Sequence, residues 1–266
     1  MGNSRDVTRP TPYPLIGPED PDPVERVNPA GRAPIVLLCD HAGAAIPRAL
    51  NGLGLTAAQR ADHIAFDPGA AAVTRRLARA FDAPAVLNPY SRLLIDPNRM
   101  LDDATSIRVI SEDVVIAGNR GLTPADRAAR AQCFFQPYHD AAAEAVAAAQ
   151  IRAAAPAIVS IHSFTPMFKG AVRPWEIGVL WDSDDRIAKP LIQALEARGD
   201  LCVGDNQPYS GRDPYGCTIE TYAAPQGRPH VLIELRNDVV ADDAGADRFA
   251  AILADALGPI LDDPAL

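Results

Sequence analysis

"PAIVSIHSF", residues 156–164, decides the fold. It is a short, β-branched apolar run behind a proline, and it runs out into a histidine, as a buried strand does at its polar end. The pattern recurs in "APIVLLCDHAG" (33–43), "EIGVLWD" (176–182) and "PHVLIELRND" (229–238). "APAVLNPYSRLLIDPNR" (83–99) predicts one or two more strands, with Leu93–Ile95 apolar and bracketed by Arg92 and Arg99.

Helical patterns lie between these runs. "DPGAAAVTRRLARAFD" (67–82) has apolar positions at helical spacing and arginines opposite. "TPADRAARAQCFFQPYHDAAAEAVAAAQIRAAA" (123–155) opens with Thr123 and Pro124 as a helix should, and Pro137 is expected to kink or divide it. "DDRIAKPLIQALEARG" (184–199) is stopped by Gly199, and "DRFAAILADALGPIL" (247–261) is a terminal helix. Strands alternating with helices imply an α/β fold of three layers, a mostly parallel mixed sheet with helices on both faces.

The 266 residues are 48% hydrophobic and 22% charged, a globular composition large enough for a substantial core. Residues 1–32 are proline-rich and read as an arm over the surface that packs on the domain or on a second subunit, as in a homo-oligomer. Residues 33–266 read as one domain. Net charge is −9, and only Lys169 and Lys189 are lysines, so nucleic acid is not an expected partner. No run of 18 apolar residues or basic-then-apolar leader is present, so neither a membrane span nor export is indicated. Cys39, Cys133, Cys202 and Cys217 are scattered without a CxxC pair, which fits reduced thiols and a cytoplasmic setting.

In open α/β sheets, ligands bind beyond the carboxyl ends of the strands. Here those ends carry Asp40 and His41, Asp96 to Arg99, His162, and Glu234 with Arg236. Glu234 follows Val231–Ile233, and a buried carboxylate is costly unless paired, for instance with Arg236, or tuned for chemistry. Two strand-end histidines and this carboxylate suit a hydrolytic zinc site, since imidazole and carboxylate fit zinc and no thiolate set is available. His41 and His162 supply two ligands. For the third, "DHIAFDPGA" offers His63 and Asp67, four residues apart and able to share a helical face; Asp67 is the choice, with His63 and Asp40 as alternatives.

The ordered set "CDHAGAAIP", "DHIAFDPGA", "SRLLIDPNR", "QPYH", "SIHSFTP", "NQPYSG" and "IELRND" resembles the N-formylglutamate amidohydrolase family over about residues 33 to 240. More distantly, "DPNR" (96–99) is similar to the Asp-x-Asn-Arg motif of aspartoacylases and zinc exopeptidase-like enzymes, which implies that kind of fold. The resemblance implies His41 and His162 on zinc, Glu234 as general base, and Asn98 with Arg99 on a substrate carboxylate. The wider group's ligand Glu falls at Ala44, and a family His before the last strand falls at Tyr222. The implied activity is hydrolysis of an N-acylated, in particular N-formylated, acidic amino acid. In it Arg92 stabilises the oxyanion, Asp96 orients a guanidinium, and Arg236 joins Asn98 and Arg99 around the small carboxylate substrate. A carboxypeptidase or deacylase for another acyl-amino acid, and a metal-free anion binder, are the alternatives at this stage.

Overall fold

The computed structural model describes residues 13–213, 216–263 and 266. Its strands are β1 (Glu25–Val27), β2 (Ile35–Cys39), β3 (Ala85–Leu87), β4 (Ile110–Ser111), β5 (Val114–Val115), β6 (Ala157–Phe164), β7 (Met167–Phe168), β8 (Ala171–Val172), β9 (Ile177–Leu180), β10 (Val203–Asp205) and β11 (His230–Arg236). Its α-helices are α1 (Ala57–Arg60), α2 (Ala70–Ala80), α3 (Pro124–Arg130), α4 (Gln136–Gln150), α5 (Ala188–Glu196), α6 (Thr218–Tyr222) and α7 (Asp243–Leu261).

Seven strands form one sheet in the order β1-β3-β2-β6-β11-β9-β10. The central β3, β2, β6 and β11 are parallel, whereas β1 and the β9–β10 pair run against them. The sheet is therefore mixed and mostly parallel. Side-chain alternation along the strands divides the core into two layers. Leu37, Val159 and Ile233 face one side, with Leu77 of α2, Leu191 of α5 and Phe249 of α7. Val36, Leu38, Val86 and Ile158 face the other, with Tyr138 and Val146 of α4 and Tyr222 of α6.

A second apolar cluster lies outside the sheet, and here the structure departs from the sequence reading. Leu93, Leu94 and Ile95 are not a strand; they sit in turns and plug a core with Leu53, Ile64, Ile107 and Phe134. Arg130, 2% exposed at the end of α3, locks this segment. Its Nη1 donates to the Leu94 carbonyl (2.9 Å) and Asn119 Oδ1 (2.6 Å), and its Nη2 to the Gly118 carbonyl (2.9 Å). Burial lowers its pKa to about 10. Ahead of Pro137 the long helix is divided by a π-turn at Ala131–Phe135. The N-terminal stretch is also more than an arm. Its residues 25–27 add the edge strand β1, and Ile16 is buried in the second core, while residues 1–12 lie outside the described residues. No helix of the described residues is long and apolar enough to cross a membrane.

Candidate active site

Three parallel strands end side by side at the site. Asp40 follows β2, His162 lies in β6, and Glu234 lies in β11 directly opposite His162 in the register. By the two-residue alternation all three fall on the face shared with α4 and α6, beyond the last apolar layer. All three are buried.

Asp67 reaches this row from the turn before α2. Its backbone N–H donates to the His41 carbonyl (2.9 Å), and Ser163 Oγ donates to the Pro68 carbonyl (2.8 Å), so the turn is stitched to the ends of β2 and β6. Gly69 closes it at φ 83°, where a Cβ would collide with Val240. His63 and Asp67 do not share a helical face, because residues 61–69 are turns and bends. His63 instead faces Asp62 (2.5 Å) and Glu112 (2.9 Å) at the surface, so it is no candidate third ligand.

The two imidazoles are held alike. His41 Nε2 lies 2.7 Å from Asp96 Oδ1 and its Nδ1 3.3 Å from Asp67 Oδ2. His162 Nε2 lies 2.9 Å from Asp40 Oδ2 and its Nδ1 2.9 Å from the same Asp67 oxygen. The rings stand nearly perpendicular, 73° apart with centroids at 5.0 Å. Donation of each Nε2–H to its outer carboxylate leaves both Nδ1 lone pairs aimed at one point beside Asp67. That is the orientation outer carboxylates impose on metal-ligating histidines. The three ligand atoms lie within 4.8 Å of one another, so His41, Asp67 and His162 could hold a metal ion.

Charge supports the same reading. Asp40, Asp67 and Asp96 are all buried carboxylates, and Arg92 ion-pairs two of them, 3.4 Å from Asp67 and 3.0 Å from Asp96. The remaining negative charge is met by protons on the imidazoles or by a cation. Burial opposes ionisation of all three, yet His162 and His41 hold Asp40 below the usual range, and Arg92 with His41 holds Asp96 well below it. Asp67 is likewise lowered by the two imidazoles. Burial disfavours the His162 imidazolium, but Asp40 and Asp67 outweigh it and raise its pKa well above normal. Both Asp40 oxygens are engaged: Oδ1 accepts from Tyr138 Oη and Thr218 Oγ1, both at 2.7 Å, and Oδ2 lies against His162 Nε2.

Glu234 behaves oppositely. Its Oε2 is buried without a hydrogen-bond partner, and burial raises its pKa to about 7. A carboxyl poised near neutrality can both take and return a proton.

The "DPNR" residues line the β2 side. Asp96 Oδ1 accepts from the Asn98 backbone N–H (2.9 Å). Asn98 Oδ1 accepts from the N–H groups of Cys217 (2.8 Å) and Thr218 (3.1 Å), so its Nδ2 end is what it can offer a ligand. Arg99 Nη1 donates to the Asn98 carbonyl (2.9 Å). Arg236 is engaged elsewhere, with Asp238 (2.7 Å) and the Pro174 carbonyl (2.9 Å). Tyr222 is buried, and its hydroxyl donates to the His139 carbonyl (2.7 Å). Two more groups approach the site, Arg173, which the sequence reading did not single out, and Tyr209, which it gave only inside "NQPYSG". The signal for them is Gly178 inside β9, since a strand glycine often marks a close backbone approach. A Cβ there would overlap the Gln207 carbonyl oxygen, so residues 206–209 cross the sheet face at the position paired with Glu234.

An α/β sheet with a histidine–carboxylate cluster and a near-neutral glutamate at its strand ends defines a hydrolase-like site. The family described as N-formylglutamate amidohydrolase matches residues 33–241, and the chain belongs to this family of hydrolases acting on amide bonds. Among solved structures, it is similar to gene product Atu2144 from Agrobacterium tumefaciens, at 36% identity and TM-score 0.89, covering 93% of this chain and 98% of that one. It shares its fold with N-formylglutamate amidohydrolase from Ralstonia eutropha JMP134, at 21% identity and TM-score 0.70, covering 91% and 98%. No curated protein matches.

Proposed function

We propose that the protein is a zinc-dependent amidohydrolase that cleaves the amide bond of an N-acylated acidic amino acid, N-formylglutamate in the first instance. The observation that carries this reading is the convergence of His41, His162 and Asp67 on one point, with Glu234 in register beside His162. Family membership supports the reaction class. His41, Asp67 and His162 are the residues that would hold the ion, with Asp96 and Asp40 fixing the two rings. Bound zinc supplies Lewis acidity and lowers the pKa of water from 15.7 towards about 7.

Glu234 takes the proton of the attacking water and returns it to the leaving amine nitrogen. Its near-neutral pKa suits both steps. Arg92, fixed by Asp67 and Asp96, presents its remaining N–H groups to the oxyanion, a contribution typically worth several kcal/mol. Asn98 and Arg99 take a substrate carboxylate, for which a guanidinium offers two parallel bonds. Arg236 serves by bracing the loop at Pro174. The scattered cysteines support a reducing, cytoplasmic setting.

The test combines zinc content after gentle purification with a panel of formyl-, acetyl- and succinyl-amino acids and short peptides. The proposal expects zinc near one per chain, turnover of N-formylglutamate, and a Glu234→Gln variant that keeps zinc but is inactive. Turnover unaffected by Glu234→Gln would remove the proposed base.

A further inference from the structure

Arg173 is a buried guanidinium without a carboxylate. It is 8% exposed, and among the described residues no acid forms an ion pair with it. Its Nη1 donates to Thr165 Oγ1 at 3.4 Å. The guanidinium carbon lies 4.6 Å from the Phe168 ring, 4.9 Å from Tyr209 and 5.8 Å from Phe164, so three aromatic faces cage it. The backbone around it is fixed as well. Its N–H donates to the Pro166 carbonyl (2.8 Å), and Arg236 reaches the carbonyls of Arg173 and Pro174.

A buried cation with this many free donors is costly unless an anion completes it. None of its nitrogens is sealed away without a partner, so its remaining N–H groups open to the Tyr209 hydroxyl or to solvent. Tyr209 links this cage to the reacting centre. It is carried across the sheet face beside Glu234 by the loop that Gly178 admits, and its hydroxyl feels the charges of Glu234, Arg173 and Arg92.

The strand order makes the arrangement two-sided. Asp96, which leads into Asn98 and Arg99, meets His41 just past the end of β2, Glu234 and His162 occupy β11 and β6 in the middle, and Arg173 precedes β9 on the far side. We infer that Arg173, with the Tyr209 hydroxyl, binds the second carboxylate of the substrate, opposite the one taken by Asn98 and Arg99, and so selects dicarboxylic over monocarboxylic acyl-amino acids. Its catalytic consequence rests on the acyl-amino-acid reading above, but the pocket itself does not need turnover to be seen.

The experiment measures binding of glutarate and butyrate by calorimetry to the full chain, to Arg173→Gln and to Tyr209→Phe, with thermal melts as a check on folding. The wild type is expected to prefer glutarate. Arg173→Gln should reduce that preference roughly 10- to 100-fold through loss of a charge-assisted pair. Tyr209→Phe, which keeps the ring of the cage, should lose a smaller part, and it carries the test if Arg173→Gln fails to fold. An unchanged preference, or an equal loss for both ligands, overturns the inference. Arg173-dependent glutarate binding without any turnover of N-formylglutamate would instead sink the enzymatic reading and leave this pocket standing. Turnover with an Arg173-independent preference would do the reverse.

Discussion

Glu234→Gln separates a tuned carboxyl from a merely buried one. Burial lifts this acid from an ordinary 4.5 to about 7 in the folded chain. The folded state therefore binds a proton that the unfolded state has released over that interval. Stability contributed at this position must fall as pH rises through it, with no penalty below about pH 4.5 and the full penalty above about pH 7. At about 1.4 kcal/mol per tenfold, the full penalty is about 3.5 kcal/mol, of which about 2.5 kcal/mol develops between about pH 5 and about pH 8.5. Gln cannot titrate, and any cost of burying its amide is the same at every pH. Urea unfolding of the chelator-treated protein at a series of pH values gives the difference directly. The gap between Glu234→Gln and wild type should move by that amount in favour of the variant as pH rises. Parallel curves, or a gap moving the other way, would refute the reasoning.

Other positions test the scaffold around the site. Arg130→Met removes the donor to the Leu94 and Gly118 carbonyls and to Asn119 Oδ1. Two buried acceptors and one part-buried acceptor left without their donor should cost about 2 kcal/mol or more in urea unfolding, with Arg130→Lys recovering part; a variant as stable as wild type contradicts the latch. Gly178→Ala puts a methyl group into the Gln207 carbonyl and so displaces the segment carrying Tyr209. Steady-state kinetics should show kcat/KM down about tenfold or more at unchanged zinc content, since small misplacements at a site are costly. Wild-type kinetics in Gly178→Ala would mean that this loop does not shape the site.

Much of the fold and site was legible because local physics decides it. β2, β6 and β11 are apolar runs that end in ionisable groups, and the sheet order turns those ends into neighbours. Asp67 was reached for a wrong local reason, a shared helical face with His63, yet it lies against both imidazoles because the turn before α2 is bonded to the ends of β2 and β6. Leu93–Ile95 were misread since three consecutive apolar residues look the same whether they join a sheet or plug a core beside it. Arg173 carries no spacing signal, and Tyr209 shows only within "NQPYSG", without its place at the site. They meet through two loops that converge only after β9 and β10 have turned against β11. The roles of Asp40 and Asp96 as ring partners were hidden for a related reason: sequence shows an acid at a strand end, not which ring nitrogen it faces.

The most direct test of the metal centre is anomalous diffraction at the zinc edge from crystals grown with zinc. The account predicts one strong peak at about 2.0–2.2 Å from His41 Nδ1, His162 Nδ1 and an Asp67 carboxylate oxygen. A chain crystallised under those conditions with no peak there, or with zinc bound only elsewhere, would contradict it.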